Sequence, residues 1–503
     1  MLIVAKNFKF LSLVITITLL LWIYGGHFLS FKQKIILKLD KRQAPNEDWL
    51  ISNIAQDIPY LPIEDLKNPK YKTRSFNKSC ARYPTLRDVK IHNDYWQEFK
   101  NGNISQYIFG AYYDNRPTVV ENHPVVRVLI MINFISKSNE EYPLTYCQLW
   151  YDGQPRPFIT PLKLMHKIWL FGWGHSLEFN YPHLIACPVP AEHKNRVPKS
   201  ISLVSKPCDK ATNNVRVTYN YLRPGEKRKE FAVCVKGVDF PHVDMSHRFV
   251  EYIETMRILG AQKIDMYRLQ VHPNTTKVLK YYEDTGFLEY RPMSLSTAVS
   301  NLPRYRHLEM YKNHHSYNMH EVVSYNDCLY RNMYRYKYVA VVDTDEIPLP
   351  LGNITNWHDL MTFAEKVTTK NCKKFASFCF RCMPFPCLPK KVGYTNQIPE
   401  YFYMLQHVER VLKHIRPDSA TKCLHSTDRV IATHNHFSIH RTKNVCRSYS
   451  FDGNVAQLQH YREPRNKKPQ KVLVVDLSLW RFKDQIIERS TKVFKELDFF
   501  EYE

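Results

Sequence analysis

Tyr338-Val339-Ala340-Val341-Val342-Asp343-Thr344-Asp345-Glu346-Ile347-Pro348 is a short apolar run that stops at two aspartates spaced i, i+2. A run of that length, bounded by polar residues and a proline, predicts a buried strand. Open α/β sheets bind ligands in the crevice at the carboxyl ends of their parallel strands. Alternate residues there can present two carboxylates to one hard cation. Asp343 and Asp345, with Glu346 as a third carboxylate, therefore predict a metal site serving a phosphate-bearing substrate. A solvated acidic turn is the competing reading, but the chain has no other D-x-D.

The segments before this run supply the rest of such a sheet. Phe231 to Val235 reads as a buried strand and Arg248 to Leu259 as a helix stopped by Gly260. Lys263 to Leu269 reads as a strand, Thr275 to Asp284 as a helix started by Pro273-Asn274, and Phe287 to Tyr290 as a strand. That β-α-β-α-β order is the pattern of a doubly wound parallel sheet. His320 to Tyr336, with Val322, Leu329, Met333 and Tyr336 on one face, predicts the helix that feeds the strand ending at Asp343.

Residues 80 to 225 have a different character. Val125 to Ile135, Thr145 to Tyr151, Ile168 to Trp173, Ser200 to Val204 and Val215 to Tyr221 read as short strands between Pro- and Asn-rich turns, an accessory β-domain. Residues 32 to 75, rich in Lys, Pro and Asn, read as a stem. Phe10 to Phe31 is uncharged, mostly apolar and long enough to cross a bilayer, with Lys6 and Lys9 before it and Lys32 and Lys34 after. No A-x-A-like cleavage site follows, so it reads as a signal anchor.

The net charge of +23 arises from 71 basic and 48 acidic residues spread along the chain. Without a long basic cluster this predicts a surface that favours anionic partners and not a nucleic-acid groove. Asn77, Asn103, Asn274 and Asn353 head N-glycosylation sequons, and the 12 cysteines are an even number. Both point to an oxidising lumen. Cys372, Cys379, Cys382 and Cys387 resemble half a zinc ribbon but lack a second C-x-x-C, so disulfides are the expectation, with Cys234 and Cys328 left open as buried thiols.

Taken in order, Phe231 to Pro241, Tyr325 to Arg331, Tyr338 to Pro348, Lys422-Cys423, Asp428-Arg429-Val430, His434-Asn435-His436-Phe437 and His460-Tyr461-Arg462 resemble glycosyltransferase family 92, over roughly residues 80 to 480. The resemblance implies an α/β fold of GT-A type, with a doubly wound, mostly parallel sheet after an accessory β-rich domain and an N-terminal membrane anchor. The divisions are a tail at 1–9, the anchor at 10–31, the stem at 32–75, the accessory domain at 76–225, the catalytic domain at 226–490 and a tail at 491–503. It further implies a Golgi, single-pass type II enzyme with a luminal catalytic domain. Such an enzyme would move galactose from UDP-galactose, with inversion and a β-1,4 linkage, onto a glycan of a glycoprotein or glycolipid. Mn²⁺ or another divalent cation would assist. Glu463-Pro464-Arg465 departs from the family pattern and leaves the acceptor open.

Within the matching segments each role has a candidate. Asp343, Asp345 and His460 are the metal ligands, with His434 and His436 as the alternative imidazoles. Lys422, Arg429 and Arg462 are candidates for the donor diphosphate, and Asn326 and Asp327 for uracil or ribose. Inversion needs a carboxylate base, for which Asp428 and Glu346 are the candidates. Two other readings remain: a non-catalytic glycan-binding protein on the same fold, and an aspartyl phosphatase with Asp343 as nucleophile, for which the chain lacks the downstream G-D-x-x-x-D.

Overall fold

The computed structural model describes residues 46–67, 80–119, 124–137, 142–154, 156–296, 301–312, 314–370, 372–387, 393–417, 419–462 and 472–499. The chain divides into two compact units, 1–57 and 58–503. In the first, Glu47–Asp57 is a helix. No helix among the described residues is long and apolar enough to cross a membrane. The apolar run 10–31 lies outside the described residues, as does Asn77.

The second unit contains the expected α/β sheet. Seven described strands lie in the order Leu288–Pro292, Lys263–Val271, Lys229–Phe240, Tyr336–Val341, Lys422–Ser426, Phe375–Phe380 and Cys446–Ser450. The first four are parallel. Lys422–Ser426 runs antiparallel to both of its neighbours, and Phe375–Phe380 pairs in parallel with Cys446–Ser450. The chain order reverses between Lys229–Phe240 and Tyr336–Val341, so the crevice that such a reversal opens lies where the latter strand ends, just before Asp343.

The alternation of the central strands explains why this sheet is covered on both faces. Phe231, Val233 and Val235, with Ala340 and Val342, pack on the helices Ser246–Leu259 and Pro273–Asp284. Ala232 and Cys234, with Val339 and Val341, face the helix His314–Asn332 on the other side. Period-two strands with both faces apolar read as continuous hydrophobic runs, which is how they look in the sequence. Gly260 ends its helix with φ 116°, a conformation that glycine adopts without a Cβ clash.

The accessory region is one mixed sheet of ten described strands, of which Ile104–Asp114 is the longest. It shares a core with the catalytic sheet: Ile130, Leu184 and Trp96 belong to the same apolar cluster as Val322, Leu329 and Cys234. The boundary expected at 225 is thus a boundary between sheets within one compact unit.

Four expectations change. Ile168 to Trp173 is not a strand: Leu164–Lys167 is, and Phe171–Trp173 forms a single 3-10 turn with exposed Gly172 at its centre and exposed Gly174 at its end. The stem does not run to 75, because Tyr60, Leu61, Ile63 and Leu66 are buried in the second unit, around a short helix Ile63–Lys67. The catalytic region does not stop at 490, since the helix Lys483–Glu496 carries buried Val493 and Phe494 past that point. The predicted helix ending at Tyr336 instead ends at Asn332, and Tyr336 opens the strand.

Disulfides join Cys80–Cys208, Cys147–Cys187, Cys234–Cys328, Cys372–Cys446 and Cys379–Cys423. Cys234 and Cys328 are therefore paired, and the half zinc ribbon is dismantled because two of its members bridge to other strands. Cys382 and Cys387 lie outside the five bridges.

Candidate active site

Beyond Val341 the chain turns through Asp343, Thr344 and Asp345 into the strand Glu346–Pro350. That strand pairs antiparallel with Ala456–Arg462, which pairs in parallel with Cys382–Pro386. The register sets His460 opposite Glu346, and the Tyr461 N–H donates to the Asp345 carbonyl at 2.9 Å. This small sheet closes one wall of a cleft of about 560 Å³ lined by Lys236, Arg248, Glu321, Asp343, Asp345, Glu346, His460 and Arg462 among others.

Asp343 is tied to cations. Its Oδ2 accepts from Lys422 Nζ at 3.0 Å, while its Oδ1 accepts from the Tyr325 hydroxyl at 2.8 Å and lies 3.4 Å from Lys236 Nζ. Burial alone would raise its carboxyl, but Lys236 and Lys422 outweigh it and hold Asp343 well below the usual carboxylate range. Asp345 is different: its side chain is 40% exposed and its Oδ2 lies 3.3 Å from His460 Nε2. Burial disfavours a charged His460, yet the Asp345 and Cys382 contacts and the Glu346 carboxylate more than offset this and raise it to about 10. Glu346 is buried, accepts from the Asp343 N–H at 3.0 Å, lies 3.3 Å from Lys422, and is raised by that burial.

Three residues that sequence reasoning passed over complete the cleft. Lys236 closes the apolar run Phe231 to Val235, and the strand pairing shifts register between Cys234 and Gly237, turning its ammonium toward Glu321 and Asp343. A Cβ on Gly237 would meet the Cδ1 of Leu269 at 2.8 Å, so a larger residue there would have to displace the end of that side chain. Glu321 is a carboxylate on the apolar stretch of the His314–Asn332 helix, and it accepts from Lys236 at 2.5 Å and from Asn435 at 3.1 Å. Arg248 stacks over the Tyr403 ring, 3.2 Å from its centroid. A charged residue interrupting a buried run was the available signal for the first two.

Several predicted site residues lie elsewhere. Asp428 sits beside Tyr336, at the opposite end of the strand from Asp343, held by Arg228 through two contacts of 2.9 Å. Arg116 of the accessory sheet fixes the same loop through the Thr427 and Val430 carbonyls. Arg429 pairs with Glu365 at 3.0 Å. Asn326 braces the backbone of Val322 and Thr433. Asp327 is fully buried and accepts from the hydroxyls of Tyr60, Tyr112 and Tyr267 and from Arg331. Of these four, Asp327 takes side-chain bonds from both sheets, the side chains of the others brace the catalytic region, and none of them lines the cleft. Lys422, 1% exposed, stands behind Asp343. Of the two other histidines, His436 lines the cleft and His434 packs against aromatic rings. Asn103, Asn274 and Asn353 are all exposed.

Among the described residues no group of three or more His, Cys, Asp or Glu is arranged as a metal cage. Asp345 and His460, 3.3 Å apart on the cleft wall, nevertheless suit a divalent cation, which would take the place of the proton that the neighbouring carboxylates otherwise hold on the imidazole. Asp343 fits less well, because Lys236, Lys422 and Tyr325 already engage its oxygens.

The family model for glycosyltransferase family 92 matches residues 229–496, more than half of the chain and all the elements that build the cleft. The chain belongs to glycosyltransferase family 92. No curated protein matches this family 92 chain. Among solved structures it is similar to S. aureus TarS 1-349, at 12% identity and a TM-score of 0.25 over 46% of this chain. It is also similar to the WbbM bifunctional glycosyltransferase in its apo form, at 11% identity and a TM-score of 0.20 over 43%. It spans 60% and 35% of those two chains. Likeness at these scores decides neither fold nor site, and the family assignment rests on the family match.

Proposed function

We propose that the cleft moves a hexose, galactose from UDP-galactose, onto a glycan hydroxyl with inversion, giving a β-1,4 linkage. The observation that carries this reading is the convergence of Asp345, His460 and Arg462 at the carboxyl edge of the sheet, where a nucleotide diphosphate would lie. The strand order, with four parallel strands followed by an antiparallel one, supports a GT-A assignment.

Asp345 and His460 would hold the cation, Mn²⁺ by family resemblance. When bound, it would offset charge on the departing diphosphate as a Lewis acid. Arg462 and Arg248 line the cleft and add positive charge for the same oxygens. Lys236 and Lys422 neutralise Asp343 and Glu321, so the floor of the cleft does not repel an anionic donor. Glu346 is the one of the two base candidates that lies in the cleft. In the proposed step the acceptor oxygen bonds to the anomeric carbon, its proton passes to the Glu346 carboxylate, and the bond from that carbon to the diphosphate oxygen breaks, releasing UDP.

Membership of this family displaces the aspartyl-phosphatase reading. A Golgi lumen is proposed from the sequons and the five disulfides. The test is a panel of UDP-sugars with and without a chelator: UDP-galactose turnover that stops on chelation supports the reading. Turnover of another donor corrects the sugar, and no turnover of any donor favours a glycan-binding protein.

A further inference from the structure

Transfer needs the hexose of the donor to be oriented, and the groups assigned so far account for its diphosphate. Resting on the transferase reading, we propose that His436 binds that hexose, its Nε2 accepting a hydrogen bond from a hydroxyl of the sugar being transferred. His436 is then a specificity residue for the donor sugar.

The imidazole is fixed by Thr421, the residue before the strand Lys422–Ser426. The His436 Nδ1 lies 3.0 Å from the Thr421 carbonyl, and the Thr421 hydroxyl donates to the His436 carbonyl at 2.8 Å. Thr421 is fully buried, and the turn that carries His436 is closed by the His434 N–H on the Phe437 carbonyl at 2.8 Å. A carbonyl only accepts, so Nδ1 carries the proton of the neutral ring and Nε2 is left as a bare acceptor. Burial, and next the Lys422 ammonium, push the imidazole down to about 4, which keeps it neutral at physiological pH. His436 is half-buried and lines the cleft. Its Nε2 has no hydrogen-bond partner among the described residues, yet it is not enclosed as the unpartnered Nδ1 of His434 is.

The carboxylates and the amide around this acceptor are already engaged. Asn435 accepts from Lys422 and donates to Glu321 at 3.1 Å, Glu321 also accepts from Lys236 at 2.5 Å, and Asp343 accepts from Lys422 and Tyr325. A bare nitrogen in such a wall selects its ligand. A diphosphate oxygen has no proton to give it. A metal ion is disfavoured there, because Lys422 and Lys236 already place two positive charges close enough to hold the imidazole down. A sugar hydroxyl fits, since it donates to Nε2 and can accept from the Lys236 ammonium, which is 26% exposed. Asp343 is also among the charges that His436 feels, so the imidazole stands beside the D-x-D. That is within reach of a sugar whose diphosphate lies at Asp345 and His460 in the same cleft.

Calorimetry on the full chain with Mn²⁺ tests this, with UDP, UDP-galactose and UDP-galactose deoxygenated at each hydroxyl-bearing carbon of the hexose in turn as probes. His436→Ala is expected to lower UDP-galactose affinity about tenfold while leaving UDP and Mn²⁺ affinity unchanged. His436→Gln, whose amide oxygen takes the place of Nε2, should keep most of the affinity. In the wild type one deoxygenated analogue should lose about as much as His436→Ala loses with the parent sugar, and that analogue should lose nothing further in the variant. Wild-type affinity indifferent to every deoxygenation overturns the proposal whether or not the variants fold. A folded His436→Ala that binds UDP-galactose like the wild type overturns it as well, and a fall in its Mn²⁺ affinity would make His436 a metal ligand instead. UDP binding reads the transferase reading separately: a wild-type chain that binds no UDP sinks that reading, whereas UDP binding without discrimination among the analogues sinks the His436 assignment alone.

Discussion

His460 Nε2 lies 3.3 Å from Asp345 Oδ2 because the strand Ala456–Arg462 pairs antiparallel with Glu346–Pro350 and sets His460 opposite Glu346. The pair is partly open to the cleft, while Asp343, its neighbour in the D-x-D, is locked by two lysines.

Asp345→Asn is expected to lower transfer by about a hundredfold or more and to weaken Mn²⁺ binding, with little change in melting temperature, since its side chain is 40% exposed. His460→Ala should shift the Mn²⁺ requirement more than the acceptor KM. Calorimetric titration of Mn²⁺ against these variants and His434→Ala and His436→Ala checks the assignment; an unchanged requirement in His460→Ala would name the wrong imidazole.

Asp327→Asn should act on stability and not on the donor KM. The carboxylate accepts three tyrosine hydroxyls and Arg331 in a fully buried position. Breaking such a buried pair costs about 3–5 kcal/mol. A raised donor KM with an unchanged denaturation midpoint would instead restore the nucleotide role expected from the sequence.

Asp114 gives a pH signature. It is fully buried, and although burial works against its charge, Arg116 and Arg127 lower its pKa to about 2. A depressed carboxylate contributes stability above its unfolded pKa of 3.8, and that contribution is lost as pH falls through about 2. The loss amounts to roughly 2 kcal/mol at about 1.4 kcal/mol per unit. Urea unfolding of the wild type and Asp114→Asn from pH 5 to pH 2 (approximately) should therefore show the two stabilities converging as the pH drops.

Peptide mapping under non-reducing conditions should recover the five bridged pairs, and alkylation of the denatured, unreduced chain should label Cys382 and Cys387. Stoichiometric zinc with Cys379 and Cys423 as thiols would contradict this pairing.

If the chain enters the secretory lumen, glycosidase treatment should shift its mobility, and Asn103→Gln and Asn353→Gln should each remove one step, as both asparagines are exposed. Asn274 lies in the first turn of its helix with its amide on Asp244 at 2.6 Å, so its modification should be the weakest of the three.

The sequence alone determined what depends on local pattern. Continuous apolar runs fixed the strands around Val233 and Ala340, Gly260 fixed a helix end, and the run into Asp343 fixed where a crevice would open. The long strand Ile104–Asp114 was missed because its tyrosines, Gln106 and Gly110 blur the alternation. Which charged residues meet was decided only in three dimensions. Asp428 and Asp343 flank the same strand pair, but the antiparallel direction of Lys422–Ser426 carries Asp428 to the far end while bringing Lys422 to Asp343. Burial decided the rest: Asp327 reads as a polar site residue in sequence, yet Tyr112 and Tyr267 from the two sheets and Tyr60 from a turn before them close over it. Pairing direction and burial arise from contacts between distant segments, and a local pattern of residues carries no record of them.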